Sequence, residues 1–121
     1  QRRVRQTSSR GNGERMDPKI KRLVDQVKAH LHENYGEGIK RVILFGSHAR
    51  GEATENSDVD VLVLVDRSLN PRDVDNSLGD MLYDMLLDEG ELVSVIVIPE
   101  DFFESHNLPF MLNVRKEGVT V

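Results

Sequence analysis

The chain has 121 residues, enough for one hydrophobic core but not for two, and no cysteine, which excludes disulfides and thiolate zinc sites and suits a reducing cytoplasm. A formal charge of −5 disfavours a general nucleic-acid binder, which needs a net basic domain or a concentrated basic face. No apolar run approaches membrane-spanning length, so a soluble protein with no membrane partner is expected.

In chain order, Gln1 to Arg15 holds five arginines among Ser, Gly, Gln and Asn, with Val4 as its one apolar residue. It lacks hydrophobic periodicity and reads as a flexible basic arm, either vector-derived or a basic tail. Met16-Asp17-Pro18 looks like a natural start, which makes 16–121 the folded domain. From Asp17 to about Tyr35 the pattern is helical. Asp17 can cap, Pro18 suits the first turn, and Ile20, Leu23, Val24, Val27 and Leu31 recur at three and four until Gly36. His30 and His32, two apart, point to different sides of that helix and do not make a metal site.

The stretch from Val42 to Val65 carries the chemistry. Val42 to Phe45 reads as a strand that stops at Gly46-Ser47, followed by a tight turn and a short helix; Asp58 to Val65 reads as a buried strand with two acids at its entrance. Asp58 and Asp60 are two apart, so on a strand both carboxylates share one face. Two like charges so placed repel, and a divalent cation relieves them; hard oxygen ligands suit Mg²⁺, which shares its remaining positions with waters and substrate phosphates. Gly46 permits close approach of the backbone, Ser47 offers a hydroxyl and an N–H, and the following helix start attracts an anion.

After the polar loop Asp66 to Pro71, a second helix presents Val74, Leu78, Met81, Leu82 and Met85 on one face and closes at Gly90. Leu92 to Ile98 reads as a third strand ended by Pro99. A short amphipathic piece carries Phe102 and Phe103. A last helix from near Asn107 turns Leu108, Met111 and Leu112 inward and stops at Gly118 before a short strand, Val119 to Val121. Met81, Met85 and Met111 read as core. The fold class is α/β (α+β), a small mixed sheet flanked by helices.

Gly46-Ser47, ten intervening residues, then Asp58-x-Asp60 is the signature of the nucleotidyltransferases with the DNA polymerase beta fold, and the chain resembles that superfamily. Gly46-Ser47-His48-Ala49-Arg50-Gly51-Glu52-Ala53 and Asn56-Ser57-Asp58-Val59-Asp60 look like its short branch, the minimal nucleotidyltransferases that serve as antitoxins beside HEPN-domain toxins. The resemblance implies two Mg²⁺ ions on Asp58 and Asp60, and ATP as donor with its β- and γ-phosphates on Gly46 and Ser47. It also implies a HEPN toxin as partner, with an acceptor hydroxyl such as a tyrosine. Arg50 either clamps the triphosphate or pairs with one of the two acids. His48 is expected to face solvent.

Active members of the superfamily use a further carboxylate on the neighbouring strand, and by resemblance that position falls near Ser94, whose hydroxyl is neither charged nor basic. Glu91 is the nearest acid and the candidate for this role, but an odd offset from Ser94 puts it on the opposite side of an ideal strand unless a bulge intervenes. The domain leaves no room for an acceptor-binding part, so a second chain, the HEPN protein or another copy of this one, is expected to complete the cleft. Three readings follow: an adenylyltransferase that modifies a partner toxin, a catalytically weak or inactive antitoxin that neutralises by binding, and an enzyme that transfers a nucleotide to a small molecule or an RNA end.

Overall fold

A computed structural model gives the fold of residues 17–54 and 56–121; the arm expected over 1–15 lies outside the described residues. Helix α1 (Pro18–Tyr35) begins as its sequence dictates: the Asp17 side chain accepts the Lys19 N–H at 2.8 Å, and Pro18 takes the first helical position. Its buried face is Ile20, Leu23, Val24, Val27 and Leu31, the same five residues that the periodicity selects. A 3₁₀ turn at Gly36–Gly38 leads into β1 (Ile39–Phe45), which starts earlier than the apolar run at Val42. The β1 register shifts between Ile39 and Arg41, and this bulge returns Ile39 to the core that holds Val42 and Leu44.

Next come α2 (Ser47–Arg50), β2 (Val59–Val65), α3 (Pro71–Ser77), α4 (Gly79–Glu89) and β3 (Val93–Pro99). The chain ends with α5 (Glu100–Ser105), α6 (Pro109–Glu117) and β4 (Val119–Thr120). The single helix expected after Pro71 is two helices, broken at the buried Leu78. There the Ser77 hydroxyl donates to the Val74 carbonyl at 2.7 Å, and Gly79 follows, a poor residue for continuing a helix. The last helix starts at Pro109, which cannot donate from within a helix and so takes its first turn, and not near Asn107. Met111 and Val114 form its buried stripe, while Leu108 and Leu112, expected inward, are 44% and 51% exposed. A nine-residue helix needs only a narrow contact with the sheet, and the 111–114 row supplies it.

The four strands form one mixed sheet in the order β3-β2-β1-β4, with β1 antiparallel to β2 and β4, and β2 parallel to β3. Strand β2 is interior, which explains its unbroken valine and leucine run. Val59, Val61, Val63 and Val65 pack on one face with α1, Val74 and Met85; Leu62 and Leu64 pack on the other with Ile43, Phe103, Met111 and Val114. Each fully buried side chain of this kind contributes about 1.5–3 kcal/mol. By alternation Asp60 belongs to the second face but lies in neither cluster, because α5 and α6 cover Leu62 and Leu64 and leave the strand entrance half open. No helix among the described residues is long and apolar enough to cross a membrane.

Candidate active site

Gly46 and Asp60 are brought together by pairing of β1 with β2. Phe45 is the register partner of Asp60, so the turn that follows Phe45 passes over the carboxylate. Gly46 has φ of +80°, a conformation that L side chains rarely adopt, and a Cβ placed on it would run into Asp60 Oδ2. Glycine is thus favoured here by its own backbone, and any Cβ would push the acid behind it aside. The Gly46 carbonyl accepts the N–H groups of Ala49 and Arg50, both at 3.1 Å, and this opens α2. The first two N–H groups of that turn, on Ser47 and His48, have no carbonyl of their own helix to reach.

Asp58 is exposed, one residue before β2, and Asp60 is half-buried on the strand. Burial pushes the Asp60 carboxyl above its ordinary value, and the neighbouring charge of Asp58 adds to the rise, while His48 and Arg50 pull against it. The Asp58 charge thus reaches the Asp60 carboxyl, although Asp58 itself stands just outside the strand. Among the described residues no group of three or more His, Cys, Asp or Glu side chains gathers to hold an ion. A pair of carboxylates with a glycine-lined approach fits Mg²⁺, whose other positions go to water and phosphate oxygens.

The strand beside Asp60 carries no acid. The parallel register pairs Asp60 with Ser94, on the same face, where the resemblance leads one to look for a further carboxylate. Glu91 lies two residues before β3, half-buried, and its carboxylate pairs with Lys19 Nζ at 3.2 Å. It lines a cleft of about 610 Å³ together with Asp17, Lys19, His48 and Thr54, on the α1 side of the sheet. His48, expected to face solvent, is half-buried, and its Nε2 has no hydrogen-bond partner among the described residues. The short helix α2 turns its ring toward the cleft that Glu91 lines instead of outward.

Arg50 pairs with neither Asp58 nor Asp60. Its Nε donates to Glu52 Oε1 at 2.9 Å and its Nη1 to Glu117 Oε2 at 2.7 Å. The same Glu117 oxygen accepts the Gly46 N–H at 3.0 Å. Glu117 escaped the sequence reading because it stands 71 residues from Gly46 at the end of the last helix, where an acid looks like solvated surface. The tail of charged residues after Val114 gave no spacing that ties it to the loop.

These elements match known proteins. The model of the nucleotidyltransferase domain family matches residues 24–117. A Methanocaldococcus jannaschii protein named "Putative protein adenylyltransferase MJ0604" is 38% identical over 100 residues, covering 82% of this chain and 90% of that one. Among solved structures, a toxin–antitoxin crystal structure with AMP-PNP superposes with a TM-score of 0.53 at 18% identity, over 79% of this chain and 70% of that one. A complex of tri-AMPylated Shewanella oneidensis HEPN toxin with MNT antitoxin gives a TM-score of 0.51 at 15% identity, over 84% of this chain and 70% of that one. At these identities the structures establish a shared fold, and the family rests on the domain model and the archaeal relative. The chain belongs to the nucleotidyltransferase domain family and is a nucleotidyltransferase enzyme, built on a mixed sheet with the Gly-Ser loop and the two aspartates at one end.

Proposed function

We propose that this enzyme is a Mg²⁺-dependent protein adenylyltransferase that moves AMP from ATP to a hydroxyl of a HEPN-domain toxin and so acts as its antitoxin. The observation that carries this reading is the packing of Gly46 directly over the Asp60 carboxylate, which sets an anion-binding turn against a cation-binding acid. Gly46 lets the β- and γ-phosphates approach the turn, the Ser47 N–H and hydroxyl hold them there, and Arg50 adds a guanidinium at the rim; the Gly46 N–H itself is taken by Glu117. Asp58 and Asp60 are the ligands for Mg²⁺, two ions by the resemblance, which when bound neutralises charge on the phosphate oxygens. The acceptor oxygen attacks the α-phosphorus in line, the bond to the β-phosphate oxygen breaks, and pyrophosphate leaves with the electron pair. The acceptor proton goes to a base; Glu91, the candidate by the resemblance, is held by Lys19 on the α1 side of the sheet, opposite the face on which Asp60 opens, so the base comes from the partner chain or from solvent.

A relative named as an adenylyltransferase and fold neighbours described as toxin–antitoxin complexes, one with AMP-PNP and one with an AMPylated HEPN toxin, support the donor and the partner class. Exposed Ile96, two residues beyond Ser94 on the same strand face, and exposed Phe102 and Leu112 give a partner chain apolar surface on the side where Asp60 opens. That chain is the HEPN protein or a second copy, and the cysteine-free sequence suits a cytoplasmic setting.

Ser94 opposite Asp60 favours a second reading, an antitoxin that neutralises its partner by binding without transferring a nucleotide. Intact mass spectrometry of the partner after incubation with this protein, ATP and Mg²⁺ separates the two. A gain of one or more AMP masses, absent with Asp58→Ala/Asp60→Ala, is the expected result. A tight complex with no mass gain from any nucleoside triphosphate overturns the transfer reading in favour of binding alone. Glu91→Ala in the same assay, expected to keep transfer, then tests whether that acid takes any part.

A further inference from the structure

Glu117 is the last residue of α6 and its side chain is 16% exposed. Helix energetics disfavour an acid there, since the C-terminal end of a helix carries partial negative charge. Nor is it needed to finish the helix, because the Gly118 N–H already donates to the Val114 carbonyl at 2.7 Å. What the carboxylate does hold is the loop between β1 and α2. One oxygen, Oε2, accepts both the Gly46 N–H at 3.0 Å and Arg50 Nη1 at 2.7 Å. Glu52 grips the same guanidinium from its Nε edge at 2.9 Å. Arg50 is thereby fixed on two edges, while its Nη2 keeps no hydrogen-bond partner among the described residues and its side chain remains 43% exposed.

We infer that Glu117 is a positioning residue for the transfer reaction: its single oxygen sets the entry of the glycine–serine loop and aims the remaining guanidinium N–H groups of Arg50 at the phosphates. The inference rests on the nucleotide reading given above. An arginine on a free stem loses rotamer entropy each time it grips a phosphate, and one already held by two carboxylates has less to lose. Because the tie runs from the last helix to the loop, it also couples the placement of α6 to that of the loop.

The test is calorimetric titration of the purified protein with Mg²⁺ and AMP-PNP, for the wild type, Glu117→Gln, Glu117→Ala, Arg50→Ala and the Glu117→Ala/Arg50→Ala double variant, each with its melting temperature. Glu117→Ala is expected to weaken binding about tenfold. Glu117→Gln should fall between, since an amide oxygen still accepts the Gly46 N–H. In the Arg50→Ala background Glu117→Ala should cost clearly less than in the wild type, keeping only the share that runs through the Gly46 N–H. Binding unchanged in both Glu117 variants while the wild type binds overturns the inference and leaves the nucleotide reading standing. So does tighter binding, which would make Glu117 a competitor of the phosphates, or a loss of equal size with and without Arg50, which would make it structural only. A wild type that binds no nucleotide removes the nucleotide reading itself, and the inference with it.

Discussion

On one face of the sheet α1, α3 and α4 bury Val59, Val61, Val63 and Val65 completely; on the other, α5 and α6 cover Leu62 and Leu64 but stop short of Asp60 and Ser94. The two faces share the same strands, so the difference comes from the helices laid on them. The first face is finished as a core. The second is finished only halfway along β2, and the half-buried Asp60 at its open end is an acid that a covering helix would have to desolvate with no partner. Stability thus comes chiefly from the closed face, and the proposed function sets the chemistry at the uncovered end of the open one.

This division predicts effects that separate cleanly. Asp60→Asn should lower nucleotide transfer on the order of a thousandfold, by removing a charge on which the phosphate site depends, and should not lower the melting temperature. A parallel mass-spectrometric transfer assay and thermal scan read both. Substitution on the closed face should do the reverse. Leu31 has no exposed surface, and Leu31→Ala should cost about 2–5 kcal/mol in denaturant unfolding while folded molecules keep their transfer rate. On the open side, Leu112→Ala at 51% exposure should change stability by less than about 0.5 kcal/mol. A stability loss there as large as that of Leu31→Ala would end the contrast between the faces.

Gly46 is the residue at which the division fails, since it shapes the loop and touches Asp60 at once. Gly46→Ala should cost about 1–3 kcal/mol through its positive φ. It should also displace the Asp60 carboxylate and so weaken binding of Mg²⁺ and AMP-PNP, which the same protein sample reports by calorimetry.

Much of this was legible in the sequence because it is local or periodic. The α1 face followed from spacings of three and four, and β2 from an apolar run that only an interior strand tolerates. The motif residues Gly46, Ser47, Asp58 and Asp60 lie at or just beyond one end of a single antiparallel pair, so the strand-turn pattern was enough to bring them near one another. What was illegible depends on contacts across the chain or on small changes of helix geometry. The break at Leu78 turns on one serine hydroxyl and one glycine within an otherwise continuous apolar pattern. Leu108 and Leu112 fit a helical stripe as well as Val114 does, and the sheet beneath α6 chooses among them. Glu117 reaches Gly46 only because β4 pairs with β1, at Leu44 and Ile43, and carries the end of α6 back to the loop.

The smallest effect expected sharpens the comparison furthest, because it measures what the open end costs the fold. The Asp60 carboxyl is raised in the folded chain, mainly by burial and then by Asp58, so between its ordinary value and its raised one the native state holds more proton than the unfolded chain. Stability must then fall as pH rises through that window, and the contribution is lost in full above the folded value. Asp60→Asn has no such proton to lose. The urea midpoint of Asp60→Asn minus that of the wild type should therefore grow from acid to neutral pH, with other carboxylates cancelling in the difference. Because Asp60 is only partly withdrawn from solvent, the growth should be modest. Saturating Mg²⁺ should shrink it, since a cation binds the ionised carboxylate pair and stabilises the native state by mass action. A difference that stays flat with pH would mean that Asp60 sits in water as comfortably as an unfolded aspartate, and a difference indifferent to Mg²⁺ would mean that the acids are not its ligands.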